Sequence, residues 1–176
     1  MLFHPARLEG AYVIEMEKIE DDRGFFARTF CQQEFETYGL EFVVRQCSMS
    51  FTQLPGTLRG MHFQLPPHQE AKLVRCTAGA VFDVIVDLRP GSATFCQWFG
   101  VELTAENRRM VYVPEGFAHG LLTLVSASEV FYQISEFYHA ESATGVRWND
   151  PAFGIDWPTA IQLVSDRDQS FPDFLA

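Results

Sequence analysis

Three side chains with complementary chemistry lie close together in this chain, on what the pattern predicts to be consecutive strands. His62 lies in the segment Gly56–Gln64, with Arg59 three residues before it and Lys72 ten residues after it. A histidine accepts a proton near neutral pH, and a lysine ammonium stabilises the negative charge left on an oxygen. The spacing therefore predicts proton abstraction from a carbon beside a carbonyl.

Two further residues would complete such a reaction. Tyr132 is either a buried tyrosine bonded to the backbone or an acid that returns a proton to the carbanion, with Tyr138 as a weaker alternative. Asp168 is either part of a solvated, charged tail or the carboxylate that holds His62 in one tautomer and raises its basicity. The sequence leaves both alternatives open.

The alternation of side chains along a strand decides whether Arg59 and His62 can lie on the same face. A lone strand histidine is most often satisfied by a backbone carbonyl, but here His62 shares its face with Gly60 and Gln64. Arg59 has the opposite parity, so we expect a bend near Gly60 if the guanidinium and the imidazole are to lie side by side.

The lysine lies on a predominantly apolar face. Lys72 has the same strand parity as Val74 and Cys76. Because an inward-facing ammonium is costly unless it is paired, a lysine at such a position needs a function or a partner. We expect that partner to be Asp83 or Asp87.

A metal site is the main chemical alternative. The Pro-x-Gly-x-x-His spacing that ends at His119 resembles the second metal motif of the cupin superfamily. The first cupin motif needs two histidines two residues apart, and here the second is replaced by Gln64. We therefore predict no metal. The alternative that stays open is a metal-dependent isomerase or oxygenase with the ligands His62, His68, Glu70 and His119.

Composition excludes several classes of protein. With 176 residues, of which 47% are hydrophobic and 17 are Phe, we expect one domain over residues 1–176 with a substantial core. The net charge of −10 disfavours binding to nucleic acid and to anionic membranes. An anionic substrate would need a local cluster of basic side chains.

We expect a cytoplasmic protein that neither spans nor binds a membrane. The first residues lack the apolar region of a signal peptide, and no apolar run has the length of a membrane span. The four cysteines show no C-x-x-C spacing, so free, buried thiols are expected.

Turn signals alternate with short β-rich runs, which predicts an all-β fold. Strands about 8–12 residues apart favour a jelly-roll β-barrel or sandwich, whose mouth can hold one small ligand. Helical character is confined to residues 32–38 and to a short C-terminal segment after Trp157. The run 7–17 would cover a sheet edge or pair with a second subunit. The predicted strands are 72–77, 80–88, 97–103, 109–113, 120–125 and 130–138.

Ordered motifs along nearly the whole chain resemble the dTDP-4-dehydrorhamnose 3,5-epimerase family, a cofactor-free branch of the cupins. The family resemblance implies a jelly roll that forms a homodimer by sharing strands, with substrate contacts that cross the interface. The motifs are Asp22–Phe26, Leu58–Gln64, Lys72–Cys76, Val81–Val84, Pro114–Gly120, Arg147–Pro151 and Gly154–Pro158.

The resemblance also implies roles. His62 corresponds to the general base, Asp168 to its carboxylate partner, Tyr132 to the proton donor and Lys72 to the group that stabilises the enolate. The implied substrate is a nucleoside-diphospho-4-keto-6-deoxy sugar, and no cofactor is needed. The candidate substrate-binding residues are Arg23, Phe26, Arg28, Gln46, Arg59, Lys72, His119, Tyr138 and Arg167.

The chain departs from the family at positions that bear on the substrate. Arg28, Cys47 with Ser48, and Ala143 replace the residues that rhamnose-pathway members carry. These changes leave open which base and sugar are bound, and whether C3, C5 or both are inverted. A monoepimerase acting on another 4-keto sugar is therefore an alternative, and a sugar-binding module without turnover is a weaker one.

Overall fold

A computed structural model describes residues 1–175 as a strand-rich fold with two short helices. The helices are α1 (Gln32–Thr37) and α2 (Asp166–Gln169). The strands are β1 (Leu2–Pro5), β2 (Tyr12–Glu15), β3 (Lys18–Asp21), β4 (Gly24–Ala27), β5 (Gln46–Thr52), β6 (Thr57–Gln64), β7 (Lys72–Ala78), β8 (Ala80–Asp87), β9 (Trp98–Thr104), β10 (Met110–Val113), β11 (Phe117–Thr123), β12 (Ser128–Ile134), β13 (Ala143–Gly145) and β14 (Leu163–Val164).

Two mainly antiparallel sheets form the body of the structure. The first has the strand order β1-β2-β10-β7-β12-β5, and the second has the order β13-β6-β11-β8-β9, with β14 added in parallel to β6. Strands β3 and β4 form a separate hairpin. This double-sheet arrangement, with a single helical turn late in the chain, confirms the predicted all-β jelly-roll class.

The main core fills the space between the two sheets. Val74, Cys76 and Val130 of the first sheet are buried against residues such as Ile85 and Leu121 of the second. Their parity is that of Lys72 and Tyr132, because alternate residues of a strand share a face. The predicted inward face of β7 is therefore confirmed. Lys72 on β7 and Tyr132 on β12 point to the same side of the first sheet as these core residues.

A bulge in β6 confirms the predicted bend. His119 of β11 pairs with His62, but Leu121 pairs with Arg59, so β6 contains one extra residue between the two pairs. Gly60 lies in this bulge with a φ of 140°, and a Cβ there would lie 2.5 Å from the Cα of Gly120. Only glycine satisfies both conditions. The extra residue reverses the parity, so that Arg59 and His62 face the same side.

The ends of the sheets differ in detail from the sequence prediction. The N-terminal run contains β2, which pairs with β10 on one side and with β1 on the other. It therefore covers the edge that β10 would otherwise expose, and β1 is the edge strand at this end of the first sheet. The strand predicted to reach Tyr138 ends at Ile134, which leaves Tyr138 in the following loop. Strand β5, whose pattern gave no clear signal, forms the opposite edge.

The structure also bears on the predictions of free, buried thiols and of no membrane-spanning segment. All four cysteines are free, as predicted, but only Cys76 is buried, and Cys47 is exposed. Neither α1 nor α2 has the length and apolar character that a helix needs to cross a membrane.

A buried carboxylate anchors the loop after β8. Asp87 accepts hydrogen bonds from the Arg89 guanidinium and from the hydroxyls of Ser92 and Thr94. Burial alone would raise the pKa of this carboxyl, but the hydrogen bonds prevail and lower its pKa to about 2. The ionised form therefore stabilises the fold.

We expect Asp87→Asn to lower the free energy of unfolding at pH 7 by about 2 kcal/mol, the value that a pKa of 3.8 unfolded and about 2 folded implies. Because the folded pKa is the lower one, this stabilisation is complete above about pH 4 and disappears as the pH falls towards 2. Urea unfolding of both proteins at several pH values measures it. Asp22→Asn, at an exposed turn, is the control, and an unchanged difference at low pH would contradict the linkage.

Candidate active site

A cavity of about 830 Å³ opens between the two sheets. One wall is formed by β5, β7 and β12 of the first sheet, and the opposite wall by β6 and β11 of the second, with residues from the α2 region at its side. The four residues predicted to be catalytic all line this one cavity: His62, Lys72, Tyr132 and Asp168.

The imidazole is held by a buried carboxylate. His62 Nε2 lies 2.6 Å from Asp168 Oδ1, and the Asp168 side chain is almost fully buried. Burial acts to raise the pKa of the Asp168 carboxyl, but the hydrogen bond and charge of His62 outweigh burial and keep the pKa below its usual value. An ionised carboxylate only accepts, so Nε2 donates and Nδ1 is left to take up a proton.

Local structure fixes the position of this carboxylate. Ser165 caps the N-terminus of α2, and its hydroxyl oxygen accepts from the Asp168 amide at 3.1 Å. The second carboxylate oxygen, Oδ2, accepts from the Gly60 amide at 3.1 Å. Asp168 therefore joins the β6 bulge to α2, and its two oxygens are both satisfied.

The ammonium has a partner other than those predicted. Lys72 Nζ lies 2.9 Å from Glu70 Oε1 and donates to the backbone oxygen of His62 at 3.3 Å. The prediction of Asp83 or Asp87 is wrong, because those carboxylates lie on β8 of the other sheet. Asp83 is paired there with His119, and Asp87 with Arg89 of the following loop. Both members of the Glu70–Lys72 pair are nearly buried and line the cavity.

The phenol lies on the wall opposite the imidazole. Tyr132 of β12 hydrogen-bonds through its hydroxyl to Ser50 Oγ of β5 at 3.1 Å. Burial, opposed by the Ser50 hydrogen bond, raises the pKa of Tyr132 to about 12. The phenol is therefore protonated at neutral pH and can donate a proton.

A second histidine–aspartate pair lies beside the first. His119 is paired with His62 across β11 and β6, and its Nε2 lies 2.8 Å from Asp83 Oδ2. Both side chains are buried. The His119 ring also makes an edge contact with Tyr132, with centroids 6.2 Å apart. His119 therefore links the two walls of the cavity.

The candidate substrate-binding residues fall into two groups. Five of them line the cavity together with Lys72: Gln46, Arg59, His119, Tyr138 and Arg167. The other three lie in or next to the β3–β4 hairpin, away from the cavity of this chain. Arg23 pairs with Asp21 and Arg28 with Glu34, while the Phe26 side chain projects into solvent.

The positions where the chain departs from its family divide in the same way. Ser48 and Ala143 line the cavity, so they are in a position to contact a bound substrate. Cys47 has the opposite strand parity to Ser48 and is not part of the cavity wall. The substitutions that can alter recognition within one chain are therefore those at Ser48 and Ala143.

The four ligands of the metal alternative do not converge. His62 and His119 are each bound by their own aspartate, and Glu70 is bound by Lys72. Among residues 1–175, the three donors close enough to share an ion are His68, His139 and Glu141, a group that contains only one of the four ligands.

Two residues of this site were missed from the sequence. Glu70 was considered only as a metal ligand, although it lies two residues before Lys72, the spacing that puts two side chains on one side of an extended segment. Ser50 was not recognised, because its strand β5 has no clear apolar alternation: its side chains are mostly exposed. The two-residue spacing between Glu70 and Lys72 was a usable sequence signal for Glu70, and Ser50 had no such signal.

The comparisons with known proteins agree with this geometry. The chain matches the protein family described as dTDP-4-dehydrorhamnose 3,5-epimerase over residues 5–175. The enzyme of that name from Methanothermobacter thermautotrophicus is 45% identical over 174 residues, which cover 96% of this chain and 92% of that protein.

Solved structures extend the likeness to the fold. The crystal structure of dTDP-4-dehydrorhamnose 3,5-epimerase from Elizabethkingia anophelis has a TM-score of 0.96 at 40% identity, with 99% of this chain and 96% of that chain covered. A 3′-monoepimerase from Streptomyces bikiniensis in complex with dTDP-quinovose has a TM-score of 0.87 at 36% identity, with 97% and 86% covered.

The matched region contains every residue of the cavity described above. His62, Lys72, Tyr132 and Asp168 all lie within it, and the motifs that predicted the family lie there as well. From the family match and from relatives that are similar along nearly their whole length, the chain belongs to the dTDP-4-dehydrorhamnose 3,5-epimerase family.

Proposed function

We propose that the protein epimerises C3, C5 or both of a nucleoside-diphospho-4-keto-6-deoxy sugar of the dTDP-4-dehydro-6-deoxyglucose type. The observation that carries this proposal is the placement of an imidazole and a phenol on opposite sheets. His62 lies on β6, Tyr132 lies on β12, and the cavity separates them. Inversion of a carbon needs a base and an acid on its two faces, and a binding module needs neither.

In the proposed reaction, His62 Nδ1 removes the proton from a carbon beside the C4 ketone. The ketone itself acidifies that proton, so the step needs no cofactor. Asp168 holds the ring by its Nε2 and stabilises the imidazolium that forms. A base placed in this way contributes roughly 10²–10⁴ in rate.

Loss of the proton leaves an enolate, whose oxygen carries the charge. The Lys72 ammonium, aimed by Glu70, stabilises that oxygen. Tyr132 then donates its proton to the opposite face of the carbon, and the configuration is inverted. Its raised pKa of about 12 keeps the phenol protonated until the carbanion forms. Exchange with solvent afterwards removes the proton from the imidazolium and returns one to the phenolate.

The basic side chains around the cavity support a diphosphate-linked substrate. Arg59 and Arg167 lie on the cavity wall of a chain whose net charge is −10. Arg59 donates to Thr52 and to the backbone oxygen of Phe51, which orients its guanidinium. An arginine matches phosphate oxygens in geometry as well as in charge.

Inversion at one carbon only is the second candidate. Ser48 and Ala143, two of the departures from the family pattern, line the cavity. Small side chains at both positions alter the space and the hydrogen bonds available to the sugar. A 3′-monoepimerase from Streptomyces bikiniensis has the same fold, so the fold is compatible with inversion at one carbon.

We further propose that the protein works as a homodimer in the cytoplasm. The β3–β4 hairpin presents the large exposed side chains Ile19 and Phe26, and the edge strand β5 presents Met49 and Phe51. A second copy that covers these surfaces would also bring Arg23 towards a cavity. Four free cysteines suit a reducing compartment.

Exchange of carbon-bound protons tests the two catalytic roles separately. In deuterated water, we expect wild-type protein to incorporate deuterium at the inverted carbons of the 4-keto sugar, as measured by NMR. His62→Asn should reduce incorporation by roughly 10²–10⁴ because the base is lost. Tyr132→Phe should retain proton removal but lose inversion.

The control for the base is His4→Asn, which changes an exposed histidine of β1. Incorporation at both C3 and C5 identifies a 3,5-epimerase, and incorporation at one carbon identifies a monoepimerase. Wild-type exchange in His62→Asn would remove that residue from its proposed role.

The role proposed for the Glu70–Lys72 pair is tested by changing Glu70. Glu70→Ala should lower kcat about tenfold, because the ammonium loses the carboxylate that aims it at the oxyanion. Glu70→Gln should lose less, since its amide oxygen still accepts from the lysine. Steady-state kinetics with Glu129→Ala, a carboxylate bound to Thr77 outside the cavity, as control measures both. Equal kcat in all variants would refute the positioning role.

The homodimer is tested by the mass in solution. We expect twice the 20.0 kDa of one chain by sedimentation. Phe26→Glu combined with Met49→Glu should weaken association at least about tenfold, because each side chain would bury apolar area worth about 1.5–3 kcal/mol. Val125→Glu, an exposed apolar residue of the β11–β12 loop, is the control. A monomeric wild type would contradict the proposal.

A further inference from the structure

Two imidazoles and a carboxylate meet outside the proposed catalytic group. The rings of His68 and His139 are stacked, with centroids 3.5 Å apart and an angle of 11° between their planes. Glu141 Oε1 lies 3.4 Å from His139 Nδ1. One donor atom from each of the three residues lies within 4.8 Å of the other two.

A buried amide holds the two loops that carry these histidines. Gln64 donates from Nε2 to the backbone oxygens of His68 and Phe137, both at 3.0 Å, and its Oε1 accepts from the His139 amide at 2.7 Å. Gln64 is 3% exposed. Its three hydrogen bonds fix the backbones of both histidines relative to β6, so the imidazoles come together on a preorganised scaffold.

A tight turn over residues 139–143 places the Glu141 carboxylate next to the two imidazoles. The backbone oxygen of His139 accepts from the amides of Ser142 and Ala143, and the Leu65 amide donates to the backbone oxygen of Ser142. Glu141 lies within this turn, and its exposed side chain reaches back to His139. Hydrogen bonds therefore hold the backbone that supports the three donors.

From this cluster we propose that His68, His139 and Glu141 bind a divalent first-row transition metal ion, with Zn²⁺ preferred. Two neutral imidazoles and one carboxylate are a donor set that zinc uses in proteins, with bonds of about 2.0–2.2 Å and a fourth position left for water. The rings must turn out of their stack so that their in-plane lone pairs converge. Since the donor atoms lie within 4.8 Å of one another, we expect side-chain rotation to bring them to bonding distance.

The site is distinct from the proposed reaction centre. It shares no residue with His62, Lys72, Tyr132 or Asp168, and it lies at the rim of the cavity, where Gln64 and Tyr138 form part of the wall. Failure of the metal proposal would therefore leave the epimerase proposal unaffected.

The test is a titration of chelator-treated full-length protein with Zn²⁺ by calorimetry, and with Co²⁺ by visible absorption. We expect one equivalent per chain in the wild type. His68→Ala and His139→Ala should each abolish this binding step, and Glu141→Gln, a change at an exposed position, should weaken it without disturbing the fold. Circular dichroism checks that each variant is folded.

The matched control is His4→Ala. His4 Nε2 lies 3.7 Å from Glu15 Oε2, a histidine–glutamate pair without a second imidazole. Its loss should leave metal binding unchanged. Absence of a stoichiometric binding step in the wild type, or wild-type binding by His68→Ala and Glu141→Gln, would overturn the proposal.

Discussion

The site depends on one carboxylate. Asp168 is buried, and a buried charge is tolerated only when its oxygens are paired. One oxygen takes the His62 ring and the other takes the Gly60 amide, so the same group orients the imidazole and fastens the β6 bulge to α2. Without the bulge, the imidazole and Arg59 would point to opposite sides of the strand. Electrostatics and backbone geometry therefore support each other at this position.

The two-sheet architecture provides what a single sheet could not. A core of apolar residues holds the sheets at a fixed separation, and beside that core the same inward positions carry polar groups. The result is a cavity with an imidazole on one wall and a phenol on the other. Its basic side chains also stand out against a strongly acidic chain, so an anionic ligand is attracted to the cavity more than to the rest of the surface.

The sequence predicted most of the site wherever the signal was local. Strand parity placed Lys72 inside, and the parity conflict between Arg59 and His62 predicted the bend at Gly60. Pairings between distant segments were harder. The partner of Lys72 was wrongly predicted because parity allows several carboxylates, and only the packing of the sheets selects Glu70. His68 and His139 lie in two different loops, and no periodic pattern in the sequence predicts that their rings are in contact.

The order of the segments along the chain has a consequence for the making of this protein. Asp168 follows all the strands of both sheets, and a ribosome builds from the N-terminus forward. The strands that form the cavity walls are therefore synthesised before this carboxylate is. During that interval the His62 ring would be free to adopt either tautomer. On this basis, the His62–Asp168 pair would form only after the strands of both sheets have been synthesised.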